Sequence, residues 1–106
     1  MDIEQTVFTI ISHSGEARSL FMKAIKHAKE GAFEDAQQCM EEAEEKLEKA
    51  HQKQSELIQL EAGGKKIAPT ILLIHGQDHL MTVMMLKDIT EEFIDMYSHM
   101  QIKPLK

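Results

Sequence analysis

Aromatic side chains are scarce: the 106 residues include four phenylalanines, one tyrosine and no tryptophan. Eight methionines and an overall hydrophobic share of 42% imply an aliphatic, Met-rich core, which suits helices better than sheets. Cysteine is confined to Cys39, which excludes an intrachain disulfide and fits a reducing compartment. No Lys/Arg cluster is present and the formal net charge is −6. Nucleic-acid binding needs basic side chains to release counterions, so no nucleic-acid partner is expected. A basic protein partner would suit the charge. No stretch of eighteen residues is continuously apolar, and the opening Met1-Asp2-Ile3-Glu4-Gln5 has neither a basic nor an apolar signal region. The expectation is a cytoplasmic protein without membrane insertion.

What is present reads as three helices in one domain, 1–106. Charged residues make up 28%, ordinary for a folded chain and against disorder. The spacing predicts helices over about 2–30, 34–61 and 70–100. In the first, Ile3, Val7, Ile10, Ile11, Ala17 and Phe21 recur near a 3.6-residue period. Asp2 is a possible N-cap, Gly15 a possible bend and Gly31 a C-terminal stop. The second carries a narrow seam of Ala36, Met40, Ala43, Leu47, Ala50, Gln54 and Leu57, with four- and three-residue steps alternating. Its charged run from Glu41 to Lys49 reads as a solvated face. A loop at Ala62-Gly63-Gly64-Lys65-Lys66 follows, then Pro69 and Thr70, an entry with Thr70 as N-cap, and Pro104 in a short tail. The fold class is all-α, an antiparallel three-helix hairpin or bundle.

The third helix is apolar on two opposed faces. Ile71, Ile74, Met81, Met85, Ile89 and Met96 share one side, with Leu72, Leu80, Val83 and Ile94 roughly opposite. Two other helices can cover one face, so the second is expected to pack against copies of itself, in a number that heptad spacing does not fix. Asp78 stands in the middle of that stripe. A lone buried carboxylate is costly, so it is protonated, partnered or bound to a cation such as magnesium, unless it faces solvent.

Chemistry is concentrated in His75-Gly76-Gln77-Asp78-His79-Leu80-Met81-Thr82. His75 falls about 60° round the helix from Asp78, at the edge of the same stripe. Gly76 beside it removes a side chain and would let another protein approach, a reason for the roughly 1 kcal/mol that mid-helix glycine costs. An imidazole placed there can attack phosphorus as the neutral base, and the donor can supply part of the site. Two other readings stay open. His75, His79 and Asp78 could hold a metal in a non-catalytic helical oligomer, although Gly76 stands where an H-E-x-x-H hydrolase needs glutamate. His75 could also be a structural interface residue. His13, His27, His51 and His99 read as surface residues, and Cys39, with no basic neighbour, as a packing residue.

The eight-residue segment, with Leu86-Lys87-Asp88 after it, resembles the active-site helix of the lactose/cellobiose-specific IIA components of the bacterial phosphoenolpyruvate-dependent sugar phosphotransferase system. Gly15-Glu16-Ala17-Arg18-Ser19 is similar to that family's G-x-A-R-S, and Ala50-His51 with Gln54 to its A-H-x-x-Q. The likeness spans nearly the whole chain. It implies a homotrimer of three-helix subunits, with sites near the subunit interfaces. By this resemblance His75 takes a phosphoryl group on Nε2 from the phosphohistidine of HPr and passes it to a cysteine of the IIB component. Asp78 would lie on the threefold axis, sharing a metal ion, usually Mg2+, with its two copies. Gln77 and His79 would shape the pocket, and the imported sugar would be a β-linked disaccharide of the lactose, cellobiose or chitobiose kind.

Overall fold

Helix ends fall where capping chemistry puts them. The computed structural model describes residues 2–102; Pro104, expected in a tail, lies outside them. Asp2 opens α1 (Ile3–Lys29) by accepting a 3.1 Å hydrogen bond from the Gln5 N–H. At its end Gly31 adopts φ 81°, and the N–H groups of Gly31 and Ala32 donate to the carbonyls of Ala28 and His27. These paired bonds close the helix through a left-handed residue, which glycine enters without a Cβ clash. The second helix, α2 (Phe33–Ala62), stops in the same way at Gly64. Thr70 Oγ1 accepts from the Leu73 N–H at 3.1 Å and starts α3 (Ile71–Ile102). Gly15 does not break α1, which runs through it as one helix.

All seven seam positions of α2, from Ala36 to Leu57, are buried. Met40, Ala43, Leu47, Ala50 and Leu57 among them meet Val7, Ile10 and Phe21 of α1 and Leu80 and Val83 of α3 in one largely aliphatic core. A fully buried side chain of the size of Phe21 contributes roughly 1.5–3 kcal/mol by leaving water. Successive helices are antiparallel. Glu44 lies against Lys87, and Gln54 against Gln77, so α2 descends as α3 rises. Val7 and Ile11 flank Gly76 while Gly15 lies by His79, so α1 and α3 run parallel.

The bundle is 63 × 21 × 16 Å, about two helix diameters across its thin directions. Two helices therefore cover only one side of α3. Leu80, Val83 and Thr90 on the inner side are 0% exposed, whereas Ile71, Ile74 and Met85 on the outer side are 86%, 58% and 61% exposed. Among the described residues no helix is long and apolar enough to cross a membrane.

Candidate functional site

The Thr70 cap fixes where α3 begins and so the direction in which each residue of its second turn points. His75 and Asp78 are exposed, His79 and Gln77 half-buried, and Gly76 buried. His75 and His79, one turn apart, form a tilted pair with ring centroids 5.9 Å apart.

Gly76 has a different role from the one expected. A Cβ there would stand 2.9 Å from Val7 Cγ1 and 3.6 Å from Ile11 Cγ1. The missing side chain lets α1 and α3 of the same chain approach closely; it opens no space for another protein. That contact anchors the backbone next to His75.

The other two motif segments meet this turn from either side. On α1, a Cβ at Gly15 would lie 4.0 Å from His79 Nε2, so Gly15 faces the imidazole edge across space that a side chain there would fill. On α2, Gln54 Nε2 donates to Gln77 Oε1. Gln54, expected as one more seam position, is thus the polar tie between α2 and α3. Gln77 points to that tie and away from His75. Segments far apart in the chain converge on one end of the bundle, which spacing along the sequence does not reveal.

Electrostatics on the α1 side are set by Glu16. His13 Nδ1 donates to its Oε1 at 2.9 Å, and Lys46 Nζ lies 3.7 Å from Oε2. The hydrogen bond from His13 first, then the Lys46 charge, hold the Glu16 carboxyl below its ordinary value of 4.5. Its small contribution to stability is present above that value and fades as pH falls through the lower native one.

Asp78 lies between Ile74 and Met81, which are 58% and 55% exposed, in the middle of the uncovered stripe. Among the described residues no three His, Cys, Asp or Glu side chains of one chain converge to hold a metal. His75, Asp78 and His79 therefore do not converge on a metal site within one chain. One carboxylate is too few ligands for a hard divalent ion, which takes six or more oxygens. Any such site must draw on further copies. Cys39 is buried and free.

Comparison with known proteins agrees with this arrangement. The family described as "PTS system, Lactose/Cellobiose specific IIA subunit" matches residues 5–98. The chain is 49% identical over 96 residues to the lichenan-specific phosphotransferase enzyme IIA component of Bacillus subtilis, covering 91% of this chain and 87% of that protein. It is similar to the crystal structure of the cellobiose-specific enzyme IIA of Bacillus anthracis, with a TM-score of 0.95 and 43% identity over 98% of this chain and 95% of that one. It is also similar to the IIA(chitobiose) chain of a solution structure with HPr from Escherichia coli, with a TM-score of 0.82, 36% identity and coverage of 95% and 98%. The chain belongs to the lactose/cellobiose-specific IIA family of the phosphotransferase system.

Proposed function

We propose that the protein is a cytoplasmic phosphocarrier that takes a phosphoryl group on His75 from HPr and delivers it to a cysteine of a IIB component. The observation that carries this reading is the exposure of His75 at the edge of an open helix face, beside His79 and the point where the three motif segments meet. A donor protein can reach such a ring. The IIA(chitobiose) relative was solved in complex with HPr.

In the first step the neutral His75 Nε2 forms a bond to phosphorus as the P–N bond to the donor histidine breaks. In the second, the IIB thiolate attacks and the His75 P–N bond breaks. Transfer of this kind needs positioning and charge stabilisation more than covalent help. Gly76 seats the backbone of His75 against α1, and His79, one turn on and facing Gly15, limits the space on one side of the ring. Gln77 supports the site indirectly, through Gln54. The sugar, a β-linked disaccharide, never meets this component, consistent with relatives specific for lichenan, lactose and N,N'-diacetylchitobiose.

The same reading makes the protein a homotrimer built on the outer stripe of α3. Three copies of Asp78 would then meet on the axis and hold one Mg2+ or similar ion, since carboxylate oxygens suit a hard cation. The ion would offset repulsion among the carboxylates and take no part in transfer. Incubation with phosphoenolpyruvate, enzyme I and HPr tests the proposal: the protein gains one acid-labile phosphate per chain, and His75→Ala gains none. Equal labelling of the alanine variant would show the assignment of His75 to be wrong.

A further inference from the structure

Buried polar side chains are few, and one of them differs from the rest. Thr6 and Thr90 each donate to a backbone carbonyl four residues back, and Ser14 has no partner among the described residues. Gln54, 9% exposed, reaches across to another helix. Its bond to Gln77 is, among the described residues, the one side-chain hydrogen bond that joins two helices.

This tie falls where burial alone does not say which way α3 should face. The turn before His75, Ile71-Leu72-Leu73-Ile74, is apolar in every direction. Just after the site, Leu80 is fully buried while its neighbour Met81, equally apolar, is 55% exposed. Turning α3 about its own axis here would exchange one apolar side chain for another, and the hydrophobic effect is non-directional. Packing on the α2 side is also loose. Gln77 borders a cavity of about 50 Å³ with Leu57, Ile67 and Leu73. Gly76 permits the close contact with α1 but supplies no bond of its own. Gln77, about 100° round from Gly76, supplies direction, because a hydrogen bond weakens steeply when it is bent.

We propose that Gln54 is a positioning residue: through Gln77 it fixes the rotation of α3 at its second turn, and so the direction in which His75 offers its ring. This rests on the carrier role assigned to His75 and adds what aims the ring. His75 lies two residues before Gln77, about 200° round the helix, so any rotation that breaks the tie swings the imidazole by the same angle. A buried polar pair in an apolar interface sets register at a cost in stability, as a single asparagine does in a coiled coil. Replacing both partners by apolar side chains of similar size is therefore neutral or stabilising for the fold, while the direction is lost.

The test separates aim from stability in the whole protein. In Gln54→Leu/Gln77→Leu the urea midpoint stays at or above that of the parent, but single-turnover phosphorylation by phospho-HPr slows about tenfold, since small misplacements of a reacting group are costly. Gln54→Glu keeps the length and can accept from the Gln77 amide, so its rate stays within about threefold of the parent. NMR of the histidine rings gives a readout independent of transfer. The signals of His75 and His79, one set in the parent, broaden or double in the leucine variant. A single sharp set in that variant, whatever its rate, would overturn the proposal, because a merely structural pair leaves the rings in one place. Transfer at the parent rate would overturn it as well. A parent that takes no phosphate, with ring signals that still split in the leucine variant, would end the carrier role and leave the positioning supported.

Discussion

The two faces of α3 have nearly the same hydrophobicity and different fates. On the inner face Leu80 and Val83 are completely buried against α1 and α2. On the outer face Met81, the residue next to Leu80, is 55% exposed, and the apolar row around it is interrupted by Asp78. What separates them is small residues: Gly76 on the inner side lets α1 approach, with no counterpart on the outer side. A hydrophobic face says that something must cover it; a small residue in that face says that the cover comes from within the chain.

Adjacent substitutions break this comparison most sharply. Leu80→Ala costs about 2–5 kcal/mol of chain stability, whereas Met81→Ala changes it by within about 0.5 kcal/mol and weakens association. Urea unfolding at concentrations below assembly measures the first, and sedimentation the second; equal losses in chain stability would mean that the faces are not distinct. Next in size, Asp78→Leu leaves the chain's own stability nearly unchanged and strengthens association by about 1–4 kcal/mol, if relief of carboxylate repulsion outweighs loss of the ion. A weaker assembly would show that the ion contributes more than the carboxylates cost. Gly76→Ala forces its Cβ against Val7, and overpacking of about 1–3 kcal/mol exceeds the roughly 1 kcal/mol gained in helix propensity. Adding Val7→Ala should recover part of the loss, a coupling that a double-mutant cycle measures. The smallest effect is expected at Ser14, whose buried Oγ has no hydrogen-bond partner among the described residues: Ser14→Ala raises stability by up to about 1 kcal/mol. A lower melting temperature for that variant would mean that the hydroxyl is satisfied in solution.

Much of this architecture can be read from spacing. The α2 seam is narrow and surrounded by charge, so its buried side admits one reading, and all seven positions are buried. The same holds for the ends of the helices, where Asp2, Gly31 and Thr70 act through local chemistry. Contacts between helices are less legible. Gln54 occupies a seam position by spacing, and only the fold shows Gln77, far along the chain, as its partner. Gly76 has two possible meanings in a helix, access or close packing, and the choice depends on Val7, which periodicity marks only as core. The resemblance singled out the segments around Gly15, Gln54 and His75 but not their meeting at one turn.

The most direct test of the account is nitrogen-15 NMR of the histidine rings after phosphorylation by HPr. The account predicts that one ring per chain shows phosphorus coupling, at Nε2 of His75, with His79 and the other four histidines unchanged. Phosphorus coupled to any other ring, or to Nδ1 of His75, would contradict it.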